Sequence, residues 1–491
     1  MGNLSGSRGW AGRRNGRGRA AFLVLLLLLA VASSCTRKKK LAQIEIDQTR
    51  PAEEWLKVPE VKILHDYLQI DTRETQGEKA GAEYLKSLLD CEGIESEIVC
   101  PAPKRCNLLA RIPGRRREGA LLLLNHIDVV DVNASDWKDA APFSGKIRLG
   151  YIYGRGAYDM KSLGITQLMA MINLKRHQFV PASDLLFLAE ASEEHLQLWG
   201  SRWLLDHRPE WFRGVTAVLN EGGFNEQILR EVRYWGLETV QAGFAVLDLE
   251  ADDKTRLETL AKDFPEHRFP GKAVEPNREI VMGFGILANH LPSPLTDPLR
   301  HLDRVWRDPK ELEILPDRYG IFLEPRAYWS PVFLGPDPNT GKPHIVYSAA
   351  VPPGTSPAPY AQRILDAARS RGIRVWDTFI EEPSAVSPYP TPFTELLRRV
   401  TEVRHPGIPF GPIPIWGGFT TSGAFRSRGI PAYGYSPTPI NVADQARVHR
   451  HDERIFLRDF VDGASLYSEV VEEWAVNPPD EQKKSVDWAL K

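Results

Sequence analysis

The sequence predicts an α/β fold: a largely parallel mixed sheet flanked by helices, into which a smaller α+β domain is inserted. Three observations predict it. From about Val58 to Arg233, short apolar runs alternate with helical stretches, the pattern of strands joined by crossover helices. Near Arg233 the character changes to a strand of a new sheet followed by proline-rich sequence, and "PFTELLRRVTEV" then resumes the first domain. Finally, 491 residues with 42% hydrophobic and 26% charged side chains suffice for two domains, or for one large domain with an insertion.

The first 35 residues stand apart from this fold. Arginines precede "AFLVLLLLLAVASSC", whose apolar core of roughly a dozen residues is shorter than the ~20 that span a bilayer as a helix. The stretch reads as an export signal, and the small residues ahead of Cys35 resemble a bacterial lipobox with Ala32 in place of leucine. The protein is therefore expected outside the cytoplasm, held to the membrane through a lipid on Cys35. The "TRKKK" that follows keeps an uncleaved transmembrane anchor as the alternative, because positive charge there resists export. Residues 36–57 read as a linker. Of the remaining cysteines, Cys91, Cys100 and Cys106, at most one pair can form a bridge, and the sequence does not choose it; none has CxxC spacing.

The catalytic unit is expected over residues 58–233 and 375–491, with the insertion over 234–374. "VPEVKILHDYLQIDTRETQGEKAGAEYLKSLLDCEGIESEIV" reads as two helices and a strand. "NLLARIPG" and "GALLLLNHIDVV" read as strands, "DMKSLGITQLMAMINLKRH" as a helix, and "DLLFLAEASEEH" as a strand with its exit loop. In the insertion, "GFAVLDLEADD" and "KPHIVYSAAV" read as strands and "REIVMGFGILANHL" as a helix. The formal net charge of −2 gives no field that would draw nucleic acid, so small or peptide partners are favoured.

Chemistry gathers where strands end, which in such sheets is where ligands bind. His126 and Asp128 share a face at the end of "LLLLNHIDVV", since alternate side chains of a strand point the same way. Asp159 follows the glycine-rich "GRGAY", Glu193 and Glu194 sit side by side at another strand exit, Glu221 ends "AVLNE", and His449 lies in "ARVHRHDERI". Each alone has an ordinary structural explanation, such as a helix N-cap for Asp159. Adjacent carboxylates, however, repel unless a cation or proton lies between them. Two imidazoles with several carboxylates suit a borderline metal such as Zn²⁺. A bridging aspartate with one histidine and one carboxylate per ion makes a two-metal hydrolytic site.

Taken in order, H-x-D-V-V, "GRGAYDMK", Glu-Glu, "NEGG" and the late V-H resemble the zinc metallopeptidase family of aminoacylase, carboxypeptidase G, acetylornithine deacetylase and succinyl-diaminopimelate desuccinylase, peptidase family twenty of the metallo type. The resemblance covers nearly the whole chain after Val58. It implies a di-zinc exopeptidase-like catalytic domain with a lid, and two Zn²⁺ per chain, replaceable by Co²⁺ or Mn²⁺. His126, Asp159 and Glu221 would hold one ion, and Asp159, Glu194 and His449 the other, with Asp159 bridging. Asp128 would hold the second ring nitrogen of His126, and Glu193 would be the general base. The insertion would be the lid, which in this family carries a homodimer interface.

Three features of the family's substrate side are altered. No histidine follows the first lid strand, His267 and His290 being distant; "YSAAVPPGT" has alanines where an arginine grips the substrate carboxylate; and "GGFTTSGAFR" has Thr421 and Gly423 where aspartate and arginine are usual. Arg426 is expected to compensate as a substrate-binding residue. The reading is a two-metal hydrolase of an amide or peptide bond in an N-acyl amino acid or small peptide, favouring larger or capped substrates. A lidless two-metal aminopeptidase and a non-enzymatic binding protein on the same scaffold are the alternatives.

Overall fold

The computed structural model describes residues 43–479, apart from 196, 224, 229–230, 265–266, 269–272, 292, 331–340 and 415–418. Cys35 and the expected export signal lie outside the described residues, and among those residues no helix is long and apolar enough to cross a membrane.

Two helices, α1 (Pro59–Leu68) and α2 (Lys79–Cys91), lead into strands β1 (Glu95–Ala102), β2 (Arg105–Ile112) and β3 (Ala120–His126). Helix α3 (Lys161–Arg176), β4 (Leu185–Glu190), the short helix α4 (Ser201–His207), β5 (Val215–Asn220) and β6 (Trp235–Val240) follow. The second sheet is made of β7 (Gly243–Glu250), β8 (His267–Arg268), β9 (Arg326–Ser330), β10 (His344–Val351) and β11 (Arg374–Glu381), with helices α5 (Arg278–Leu287) and α6 (Ala358–Ser370). The chain then returns through α7 (Pro392–Arg404), β12 (Phe410–Pro414), β13 (Ala432–Gly434) and the long α8 (Leu457–Val476).

The large sheet has eight strands in the order β1-β2-β4-β3-β5-β13-β6-β12. Its centre, β4-β3-β5-β13, is parallel, while β1, β2 and β6 enter antiparallel pairings. Every residue of β3 is buried, as a strand covered on both faces requires. Leu121 and Leu123 pack into the layer of α1, α3 and α8, and Leu122 and Leu124 into the opposite layer with Leu204, Phe212 and Phe425. Each such leucine is worth roughly 2–5 kcal/mol against alanine, so the strand that ends in His126 is held from both sides.

The second sheet has the order β8-β9-β10-β7-β11 and carries α6 against Leu247 and Ala349. Its strands place the crossings between sheets at Gln241–Ala242 and just after Glu381, rather than at the expected 234 and 374. The cause is visible in β6: all six residues of "WGLETV" are buried, so an apolar pattern alone does not tell which sheet the strand joins.

Cys100 and Cys106 form a disulfide, and Cys91 is free and exposed. The bridge ties β1 to β2 at the turn between them.

Candidate metal centre

The parallel strands bring their carboxyl ends to one edge. His126 closes β3 directly beside Glu190 of β4, Glu193 and Glu194 follow in the exit loop of β4, and Glu221 comes one residue after β5. After Glu221 the chain turns through Gly222 (φ +99°) and Gly223 (φ +67°), left-handed conformations that glycine adopts without strain. A Cβ on Gly223 would lie 2.4 Å from the carbonyl of Gly434, so this turn has room for no other residue.

His126 is buried, and its Nδ1 lies 2.8 Å from the main-chain carbonyl of Asp128. A carbonyl only accepts, so Nδ1 carries a proton, and Nε2 is the nitrogen turned toward the carboxylates. That Nε2 faces Asp159 Oδ1 at 3.2 Å and Glu221 Oε1 at 3.7 Å. The other oxygen of Asp159, Oδ2, lies 3.0 Å from Nε2 of His449, which is also 3.0 Å from Glu194 Oε1. Asp159 therefore turns one oxygen to each imidazole. One ligand atom from each of His126, Glu193 and Glu221 lies within 4.8 Å of the others, as does one from each of His126, Asp159 and Glu194.

Asp128 departs from its expected contact. Its carboxylate is 3.7 Å from His126 Nδ1 and instead accepts the main-chain N–H groups of Glu193 (3.0 Å) and Glu194 (2.9 Å), with His195 Nδ1 at 3.3 Å. Asp128 thus holds His126 through its backbone and the Glu-Glu turn through its side chain.

The electrostatics are those of a site short of positive charge. Burial, then the charge of Glu221, push Glu193 well above the usual carboxylate range; burial and the charge of Asp159 do the same to Glu221. Burial also opposes the charge of Asp159, but hydrogen bonds from His126 and His449 overcome it and hold that carboxyl far below its ordinary value. His449 is raised by Glu194, and His126 is raised, against its burial, by Asp159 and Glu221. His126 Nε2 and the Asp159 oxygen that faces it need a proton or a cation between them. This donor set, imidazole nitrogen and carboxylate oxygen around shared positions, fits divalent metal ions.

Residues that sequence reasoning missed fix the segments that carry these side chains. Buried Glu453 accepts the N–H groups of Tyr158 (2.9 Å), Asp159 (3.1 Å) and Gly156 (3.2 Å) and an Arg155 Nη1 contact at 2.5 Å. Asp452 accepts from the N–H groups of Lys138 (3.0 Å) and Asp139 (2.8 Å). Lys161, at the start of α3, is buried and donates to the carbonyls of Ile70 (2.7 Å) and Tyr67 (3.2 Å); burial pushes it down to about 7. His449 itself has φ +59° and Asp452 φ +55°, while Ser192 (φ +61°) and Gln197 (φ +52°) flank the Glu-Glu pair. Such strained non-glycine residues cost about 1–3 kcal/mol each and persist where surrounding contacts fix them. The signal for Glu453 was its place in "VHRHDERI", beside a predicted ligand.

Arg426 does not reach this centre. It is buried, its Nη2 bonded to Glu238 Oε2 at 2.6 Å and to the carbonyl of Ala432 at 2.7 Å, and its Nε to Ser387 Oγ at 3.0 Å. A buried guanidinium needs such partners, so Arg426 joins β6, β13 and the 387 segment rather than substrate. Ala349 and Ala350 are fully buried in lid cores, and His290 is exposed in the turn after α5.

Residues 122–473, more than half of the chain, match Peptidase family M20/M25/M40. The chain belongs to this peptidase family. A probable succinyl-diaminopimelate desuccinylase of Staphylococcus aureus is 34% identical over 146 residues, 30% of this chain and 36% of that protein. The succinyl-diaminopimelate desuccinylase of Wolbachia pipientis is 30% identical over 149 residues, 29% of this chain and 35% of that protein. The chain thus matches these relatives over about a third of their length. In fold it resembles human carnosine dipeptidase 1 (TM-score 0.65, 15% identity, 89% of this chain and 98% of that one). It also resembles the M20 family metallo-carboxypeptidase of Sulfolobus solfataricus (TM-score 0.64, 16% identity, 84% and 98%). The second sheet stands where the resemblance to the family implied a lid.

Proposed function

We propose that the protein is a two-zinc hydrolase that cleaves the amide or peptide bond of an N-acyl amino acid or small peptide. The observation that carries this reading is Asp159, whose two oxygens face His126 and His449 at 3.2 and 3.0 Å. His126, Asp159 and Glu221 would hold one ion, and Asp159, Glu194 and His449 the other. Bound there, the ions would make a water acidic enough to attack at neutral pH and polarise the scissile carbonyl. Glu193 is the group placed to take the proton of that water and return it to the departing amine, because it stands among the ligands and is tied down on one oxygen by Gln197 Nε2 at 3.1 Å. Asp128 fixes both the tautomer of His126 and the turn that carries Glu193.

Substrate chemistry follows from the cavity beside Asp159 and Glu221, of about 300 Å³. Tyr158, Leu163, Pro414, Pro437, Ser436 and Val448 line it, and no lysine, arginine or histidine does so among the described residues. A carboxylate such as a succinyl tail finds no cation there, whereas an apolar or amide-capped group does not need one. This supports larger or capped acyl groups over N-succinyl substrates. The N-terminal sequence supports export and anchoring through Cys35, and the edge strand β11, with Trp376 exposed, supports a homodimer through the lid.

The test is metal analysis with a hydrolysis panel of N-acetyl, N-hexanoyl and N-succinyl amino acids, dipeptides and their amides. Two zinc ions per chain and turnover that Glu193→Gln abolishes without losing metal are expected. Metal-free protein, or full activity in Glu193→Gln, would overturn the reading.

A further inference from the structure

The stretch "FTTSGAFR", Phe419 to Arg426, lies against a chain of hydrogen bonds that runs from the lid hinge to Glu193. Gln197 is buried; its Nε2 donates to Glu193 Oε1 at 3.1 Å and its Oε1 accepts from Arg202 Nε at 3.0 Å. Arg202 Nη2 donates to Glu381 Oε2. Glu381 Oε1 accepts from Gln241 Nε2 at 3.2 Å, and Gln241 Oε1 accepts from the N–H of Thr420 at 3.2 Å. Every donor meets an acceptor along this line. Both glutamine amides have a single orientation consistent with it, because a carboxylate only accepts and a guanidinium only donates.

The place of these residues in the chain gives the line its meaning. Gln241 sits where the chain passes from β6 of the large sheet to β7 of the lid, and Glu381 is the last residue of β11, where the lid returns. Both crossings therefore meet in one hydrogen bond. The Arg202 guanidinium also lies 5.8 Å from the ring of Phe379, which stacks on Phe419 at 5.1 Å, and Phe419 meets Phe244 of β7 at 5.5 Å. On the catalytic side, the N–H of Gln197 closes the Glu-Glu turn on the carbonyl of Ser192 at 2.8 Å.

Gly423 makes this packing possible. A Cβ there would stand 2.5 Å from Glu381 Oε1 and 2.6 Å from Gln241 Nε2, inside both atoms. The neighbouring Thr421 donates to buried Glu190, whose other oxygen accepts the N–H of Ser201 at 2.5 Å, and so fixes the start of the helix that carries Arg202. Two of the positions where this chain leaves the family pattern thus pack against the line, Gly423 at its hinge end and Thr421 beside the start of the helix that carries Arg202.

We propose that Gln197, Arg202 and Glu381 are positioning residues that couple the hinge of the lid to the orientation of the Glu193 carboxylate. A rotation of the lid about the 241 and 381 crossings moves Glu381, and Arg202 and Gln197 pass the displacement to Glu193. The proposal rests on Glu193 being the base of the hydrolase described above. A misplacement of about 1 Å at such a group costs up to about a hundredfold in rate, so the line has leverage on turnover.

Gln197→Met, Arg202→Met and their double variant test this, with Arg202→Lys as the conservative variant and Gly423→Ala acting from the hinge side. With two metals retained, each methionine variant should lose about tenfold or more in kcat with KM within about twofold. The double variant should lose no more than the worse single one, and Arg202→Lys should recover most of the loss. The visible absorption of the cobalt-substituted protein should shift in Gln197→Met, Arg202→Met and Gly423→Ala alike. Unchanged kcat in the single variants, losses that multiply in the double, or a cobalt spectrum identical to wild type would overturn the coupling. Wild-type protein that binds metal yet cleaves no amide would instead refute the hydrolase reading, and the cobalt spectra would still decide the coupling.

Discussion

Replacing Glu453 by glutamine changes one atom of a buried carboxylate and nothing of its shape. Its two oxygens accept four contacts: Oε1 takes the N–H groups of Tyr158 and Asp159, and Oε2 takes that of Gly156 and the Arg155 guanidinium. A glutamine has one oxygen for these four donors, and its amide nitrogen must face the other pair. If that nitrogen faces Arg155, the guanidinium, itself buried, loses its counter-charge. If it faces the N–H groups of Tyr158 and Asp159, the loop that aims the Asp159 carboxylate loses both anchors. Breaking a buried pair by removing one partner costs about 3–5 kcal/mol, a large part of the roughly 5–15 kcal/mol that holds a domain folded. Outer contacts of metal ligands are worth about 10–100-fold in metal affinity. Urea unfolding of the metal-free protein should therefore show a loss of about 3–5 kcal/mol, and chelator competition a zinc affinity at least about tenfold weaker. The double variant with Arg155→Met should recover part of the stability, because it removes the stranded charge, but not the affinity. Stability within about 0.5 kcal/mol of wild type together with unchanged zinc affinity would refute the role given to Glu453.

Asp159→Ala should lose both metal ions together by elemental analysis, since each imidazole shares that carboxylate; loss of one ion alone would contradict the bridge. Arg426→Ala should destabilise by about 3–5 kcal/mol in urea by stranding Glu238, yet leave KM for substrate within about twofold in the protein that remains folded. Glu78 is buried, and burial, then the charge of Asp128, push it up to about 7 against the pull of Arg105. Its carboxyl holds a proton in the folded state that it would lose near 4.5 when unfolded, so its contribution is complete below about 4.5 and lost as pH rises through about 7. Glu78→Gln should accordingly gain on wild type by about 1–3 kcal/mol between pH 5 and pH 8, read from paired denaturation curves; a pH-independent difference would contradict it. In a bacterial host, Cys35→Ser should abolish lipid labelling and move the protein from membrane to soluble fractions, and an unchanged membrane fraction that retains its N-terminus would favour the transmembrane anchor.

The residues that meet at the candidate centre were legible because each breaks a strong local pattern. His126 and Glu221 are polar ends of otherwise apolar strands, the Glu193–Glu194 pair is a repulsion that the fold must neutralise, and Asp159 follows a glycine turn at a helix start. The contact of Asp128 was not legible in the same way. Strand parity puts its side chain on the face of His126, but the parity ends with β3 at His126, and beyond it the main-chain carbonyl is the closer acceptor. Glu453 was hidden because its partners, from Arg155 to Asp159, are some 300 positions away in sequence, with |i−j| from 294 to 298. Arg426 misled for the opposite reason: nearness in sequence to an altered motif says nothing of direction, and the short helix Ser422–Arg426 turns its arginine into the core.

The altered substrate side is better understood as rebuilt than as eroded. Had the family's clamp simply decayed, Thr421, Gly423, Ala349 and Ala350 would leave holes or unpaired polar groups. Instead Thr421 is bonded to Glu190, Gly423 admits the Glu381–Gln241 contact, and the two alanines are fully buried in lid cores. Near Gly423, Arg202 faces Glu381 rather than open space. A carboxylate arriving there would have to displace Glu381 from Arg202 and Gln241, an exchange of one buried anion for another with no net gain. Recognition by charge is therefore closed off at this position. Under the proposed function, binding energy would come from the apolar walls around Leu163, Pro414 and Pro437, where each buried methylene is worth about 0.8 kcal/mol, close to fourfold in kcat/KM. Along a series of N-acyl chains from acetyl to hexanoyl, kcat/KM should accordingly climb by close to that factor per carbon, and a terminal carboxylate on the same chain should forfeit the gain. A flat series, or a succinyl group preferred over butanoyl, would show that a cation enters the site from elsewhere.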